Sequence, residues 1–151
     1  MKQRTSKLIE IQKLDLSEFD LPSLQNLTNE ISNNIKTGEF KKNIRISISS
    51  NYTTSFITKI LNVFLINKKI SSEIIESEFD SLKFDTIDFS RKIWKSKSDF
   101  LFFMPSHLNL LFSPKINDTR ETIIKNAKKE ANFWKKVWNQ TNKTIIQTTF
   151  D

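Results

Sequence analysis

Hydrophobic positions recur along this chain with two periods. Residues 44–49, Ile-Arg-Ile-Ser-Ile-Ser, alternate strictly and put three β-branched side chains on one face, the pattern of a strand. Ser50, Asn51 and Tyr52 interrupt it. Phe56, Ile57, Ile60, Leu61, Phe64 and Leu65 then keep helical spacing to about Asn67, with Thr53 or Thr54 placed to cap the helix. Ile70 to Glu76 reads as a second strand, so strand, helix and strand fit the length of a βαβ unit with a parallel pair. Phe100 to Met104 is an unbroken apolar run, as in a parallel strand covered on both faces, and Pro105 closes it. Thr144 to Phe150 is the fourth predicted strand.

The longest predicted helix runs from Asp118 to about residue 139. Asp118 with Glu121 three residues on resembles a capping box. Ile123, Ala127, Ala131, Trp134 and Trp138 are spaced as its buried face, with Ile124 and Val137 beside them. Lys125, Lys128, Lys129, Lys135 and Lys136 take the outer face. Phe79 to Asp88 reads as acidic and irregular, and Ser90 to Lys97 as one or two helical turns. Residues 71–90 hold six acids against Lys83, whereas 91–97 hold four bases and no acid.

Residues 1–43 read as a helical extension, and 44–151 as the α/β domain. Leu8, Ile9, Ile11 and Leu14 give a short apolar stripe, and Leu24, Leu27, Ile31 and Ile35 a helical one. Gly38 suits the positive φ of a helix C-terminus, and residues 39–43 connect to the first strand. Strands alternating with helices predict a three-layer α/β fold around a parallel sheet. The loop at 106–117 lies where such folds carry function.

Composition narrows the chemistry. The 151 residues fit one domain with a substantial core. The absence of Cys excludes disulfides and thiol catalysis, the single His107 excludes paired-His metal motifs, and the single Gly38 excludes glycine-rich phosphate loops. No cofactor or metal site is expected. A net charge of +7 would ordinarily suggest an anionic partner. Yet 20 Ile, 20 Lys and 14 Asn against 2 Ala are the mark of an AT-rich genome, so part of the basic excess reflects codon bias. No apolar run approaches a membrane span, and Glu10, Lys13 and Asp15 interrupt any signal-like segment. A soluble, cytoplasmic protein is expected, with no membrane partner.

Ser49-Ser50-Asn51-Tyr52-Thr53-Thr54 after the first strand, the acidic end of the second at Glu76 to Phe79, and TIDFSRKIWKSKSDFLFF with Asp88, Ile93-Trp94 and Asp99 follow one another in a meaningful order. With Ile145 to Asp151, this order resembles the N-terminal region of FkbH-like proteins of the haloacid dehalogenase (HAD) superfamily, over roughly residues 42–151. Ser98 stands where that family usually has Pro, and Ser49 where it has Gly. The resemblance implies a flavodoxin-like, SGNH-hydrolase-like domain ahead of a HAD domain that carries an aspartate nucleophile. It also implies phosphatase or acyl-transfer work, with an acyl carrier protein or an acyl or phosphoglycerate-type substrate as partner. By that comparison the α/β domain is incomplete, since the chain stops at the carboxyl end of the fourth strand. Self-association through that strand is then expected. No two Asp residues lie at i, i+2, so the chain is not expected to be the HAD catalyst.

The leading expectation is therefore an accessory domain that holds substrate or carrier protein and is not catalytic by itself. The alternative is an SGNH-type esterase or acyltransferase. Ser50 or Ser49 would be its nucleophile, and needs a base and oxyanion donors. The plainer reading of both is a polar strand-to-helix turn. Asn51 and Thr53 lie in the same turn. Asn109 holds the place of an SGNH oxyanion-hole amide, and His107 could pair with Asp99 as a base; each is also an ordinary loop residue. A third possibility is a basic nucleic-acid-binding module on the Lys face of the last helix. Stacking needs exposed aromatics, and Trp134 and Trp138 are expected to be buried, so nucleic acid is not the expected partner.

Overall fold

The computed structural model describes residues 10–34 and 40–149, with side chains described for 10–31 and 40–149. The predicted roles of Leu8, Ile9, Ile35, Gly38 and Phe150 lie outside the described residues. The fold is α/β, with a four-stranded all-parallel sheet flanked by helices, consistent with a three-layer flavodoxin-like architecture. The strands are β1 (Lys42–Ser50), β2 (Ile70–Glu76), β3 (Phe100–Met104) and β4 (Thr144–Gln147), in the order β2-β1-β3-β4. All four appear where the hydrophobic pattern predicts them, although β1 begins at Lys42, within the predicted connector, and β4 ends at Gln147, short of the predicted extent. The chain divides into two compact units: the chain up to Ile46 together with Thr54–Ile74, and Ser47–Thr53 together with the chain from Ile75.

In the first unit, helix α1 (Leu21–Asn34) starts where the Asp20 carboxylate accepts a hydrogen bond from the Ser23 N–H at 3.0 Å. Its Leu24, Leu27 and Ile31 are buried with Ile11 and Leu16, and with Val63 and Ile66 of helix α2 (Ser55–Asn67). The spacing of those leucines thus becomes the first apolar core. Asn67 at the end of α2 donates to the carbonyls of Ile11 and Leu14 at 2.8 and 3.0 Å. These two bonds fix the N-terminal segment by its own backbone. Thr54 precedes α2 without a side-chain bond to its first turn.

In the second unit, β3 and β4 run parallel with Leu101 opposite Ile145 and Phe103 opposite Gln147. Leu101 and Phe103 are fully buried with Leu82, Ile93, Trp134 and Val137. Leu82 belongs to a short helix α3 (Leu82–Ile87), where the sequence suggested irregular chain. Its inward face combines Leu82 with Asp85 and Thr86, all buried, so no apolar periodicity marks it. One further turn, α4 (Lys92–Lys95), carries the buried Ile93.

The longest helix, α5 (Arg120–Trp138), departs from expectation twice. Its cap is Thr119, whose hydroxyl accepts from the Thr122 N–H; Asp118 instead accepts from the Lys115 N–H at 2.8 Å. Its buried residues are Glu130, Trp134 and Val137, whereas Ile123, Ile124, Ala127, Ala131 and Trp138 are exposed. The cause is Glu130. Its carboxylate accepts from the backbone N–H of Leu111 and Phe112 at 3.0 and 3.2 Å and from the Trp134 indole at 2.9 Å. Seating that acid inward turns the buried arc roughly 70° around the helix from the arc centred on Ala127 and Ala131. No described helix is long and apolar enough to cross a membrane.

Candidate functional site

The carboxyl end of a parallel sheet is where such folds bind ligands, so β1 and β3 point to the candidate site. Along β1, Ile46 and Ile48 are buried on one face and Ser47 and Ser49 on the other. The polar face of the alternation therefore does not face water; its hydroxyls have protein partners. Ser47 Oγ lies 2.9 Å from Ser96 Oγ, which lies 2.7 Å from Ser98 Oγ.

Ser49 Oγ donates to Asp85 Oδ2 at 2.5 Å, and Ser81 Oγ donates to the same oxygen at 2.8 Å. Asp85 Oδ1 accepts from Arg91 Nε at 2.5 Å, and the Asp85 carbonyl from the Trp94 indole at 2.6 Å. The carboxylate is 2% exposed in its side chain, so three donors surround a charge removed from water. Its bond and charge raise the Arg91 guanidinium above its already high ordinary value. Glu78 adds a longer contact to Arg91 at 3.9 Å. A cavity of about 330 Å³ opens beside this cluster, lined by Ser47, Glu76, Glu78, Asp85, Arg91 and Lys92 together with Ile75 and Ile93 among others. Sequence reasoning missed Asp85 and Arg91 as a pair. The signal available was the switch from acids in 71–90 to bases in 91–97.

Ser50 has a local role. Its hydroxyl donates to the Tyr52 carbonyl and accepts from the Tyr52 N–H at 3.2 Å, closing a turn. Asn51 donates from Nδ2 to Ser106 Oγ at 2.8 Å. Ser106 caps the short 3-10 turn His107–Asn109, and the Asn109 side-chain Oδ1 accepts from the Ser106 N–H at 2.9 Å. The structure thus joins Asn51 and Asn109 through one serine at the sheet edge. Asn51 Oδ1 is buried with no partner among the described residues. Thr53 and His107 are exposed nearby in sequence to this network.

His107 does not pair with Asp99. The five residues of β3 separate them, about 17 Å of extended chain at the usual rise. The bonds of Ser49 and Ser50 go to Asp85 and Tyr52 rather than to an imidazole, and Asn109 uses its side-chain oxygen in a cap. Among the described residues, no three His, Cys, Asp or Glu side chains converge as metal ligands would.

Fold and edge together define an α/β domain of flavodoxin-like form whose serine-rich strand end is held by a buried carboxylate. No protein-family model matches the sequence, and no curated protein matches it. Among solved structures, the chain is similar to the N-terminal part of the protein BF1531 from Bacteroides fragilis, described as containing a phosphatase domain complexed with Mg. The TM-score is 0.66 at 14% identity, over 87% of this chain and 33% of that one. The likeness is one of fold, and the chain spans a third of the length of that structure.

Proposed function

We propose that the chain is an accessory domain that holds an acyl-type substrate or a carrier protein for a HAD-type phosphatase or acyl (glyceryl) transferase. The observation that carries this reading is the state of the two candidate nucleophiles. Ser49 is 1% exposed and its hydroxyl is committed to Asp85, whose oxygens are already shared with Ser81 and Arg91. Ser50 bonds only its own turn. A serine nucleophile needs a base free to take its proton, and that arrangement supplies none. The fold likeness to part of a phosphatase-domain protein supports work beside such a domain. Thr53 and His107 are the exposed groups offered for contact, and Asn51 and Asn109 brace the turn beneath them, with Asn51 Oδ1 keeping an unused acceptor position.

Two assays test the reading. Purified chain should not hydrolyse p-nitrophenyl acetate above a Ser50→Ala, Ser49→Ala double variant, nor p-nitrophenyl phosphate with Mg²⁺. Ester turnover lost in Ser50→Ala alone would favour the SGNH-type esterase instead. In the second assay, an acyl carrier protein titrated against labelled chain should shift the amides of residues 51–53 and 106–109 first. Shifts elsewhere, or none, would refute the site.

A further inference from the structure

The apolar stripe of α5 has the periodicity of a core and is left uncovered. Ile123, Ile124 and Trp138 are 43, 45 and 43% exposed. Ile123 and Trp138, with Leu110, Phe112 and Trp134, line a concave cavity of about 430 Å³ beside the edge strand β4. Ala127 and Ala131 also line it, and they are the only two alanines in the chain. Small residues one turn apart let a second backbone come close.

We propose that this groove docks an amphipathic helix from a partner protein, with acidic residues flanking its apolar face. Charge selects that occupant. The helix α5 carries six basic residues and two acidic ones, and one of the two, Glu130, is buried and bonded. Lys128 and Lys135 lie three and four residues from Ala131, on the flank of the stripe. On the loop wall, Lys129 Nζ stands 5.2 Å from the centre of the Phe112 ring. Basic side chains therefore border an apolar floor on both sides. A second copy of this chain would bring the same +7 charge and the same lysines against them. A flat bilayer does not fill a concavity, and a largely apolar floor offers little to the phosphates of a nucleic acid. A helix laid beside α5 over β4 also continues the layer that α5 begins. The proposal does not depend on the function of the sheet edge.

The test uses the full chain and two synthetic 18-residue helical peptides with the same leucine face, one flanked by Glu and one by Lys. Calorimetry should detect the Glu peptide and not the Lys peptide. Ala131→Glu should weaken binding by roughly tenfold or more, as at a central interface position. Lys128→Glu with Lys135→Glu should weaken the Glu peptide and admit the Lys peptide. All three substituted sites are exposed, so a circular dichroism spectrum and melting point like the parent's should confirm folding. Equal binding of both peptides, or of neither, overturns the proposal. So does an oligonucleotide or a phosphatidylserine vesicle that binds in an Ala131→Glu-sensitive way, or a dimer in sedimentation that Ala131→Glu dissolves.

Discussion

Replacing Asp85 by Ala removes the acceptor on which β1, α3 and the Arg91 turn converge. Ser49 and Ser81, 1 and 3% exposed, would each keep a hydroxyl without a partner. A buried donor left unsatisfied costs about 1–3 kcal/mol, so the two hydroxyls cost about 3 kcal/mol together. The Arg91 side chain is 31% exposed and can turn to water or Glu78, so its ion pair adds at most about 1 kcal/mol. Alanine regains about 0.5 kcal/mol of helix propensity in α3. The net loss is about 3 kcal/mol, a third or so of the stability of an ordinary domain. Urea unfolding should show the midpoint falling by roughly 1.5 M at unchanged slope. Asp85→Asn should cost about 1 kcal/mol, because both hydroxyls can rotate to accept from the new amide. Ser49→Ala should also cost about 1 kcal/mol, and its loss should be smaller in the Asp85→Ala background. An Asp85→Ala midpoint within about 0.5 kcal/mol of the parent would refute the reasoning, since the cluster would then hold nothing together.

Glu130→Ala should cost about 3 kcal/mol for the same reason, and hydrogen exchange at the Leu111 and Phe112 amides should accelerate while that of β3 does not. Acid should destabilise the fold through three aspartates. Asp15, Asp20 and Asp88 are held below their ordinary 3.8 by the side chains and N–H groups of Ser17, Ser23 and Ser90. A depressed folded value means that their contribution is complete above pH 3.8 and is lost as pH falls through the lower values. Melting points from pH 5 to 2 should therefore drop more in the parent than in a variant with all three changed to Asn. Lys143→Met should loosen the turn before β4, because its ammonium donates to the carbonyls of Trp94 and Ser96. The Trp94 indole fluorescence should shift to the red.

The sheet was legible because its strands declare themselves in two different ways: alternation in 44–49 and an unbroken apolar run in 100–104. The βαβ spacing then fixed their direction. The α3 helix was hidden because a buried carboxylate and a threonine replace the apolar residues that would mark its inner face. The same substitution misled the reading of α5. Glu130 reads as solvent-facing by chemistry, and Trp138 as buried, yet the hydrogen bonds of Glu130 reverse the two. At the sheet edge the sequence pointed to Ser49, Ser50, Asn51 and Asn109, and the structure does gather Asn51 and Asn109 around Ser106. Their partners could not be read, since Asp85 is 36 residues from Ser49 and Ser106 is 55 from Asn51.

The hydroxyl-lined face of β1 also protects the strand against mispairing. Sliding β1 by a single residue exchanges its two faces. Ile46 and Ile48 would then meet Asp85 and the Ser96–Ser98 pair, and the serines would enter apolar surroundings. The slipped form suffers on both sides: a buried carboxylate that loses its Ser49 donor on one, and unpaired hydroxyls among hydrocarbon on the other. In a strand with one wet face, only the apolar side would resist the slip. Here both sides discriminate against the one-residue slip, even though the segment Ile-Ser-Ile-Ser is short and locally repetitive.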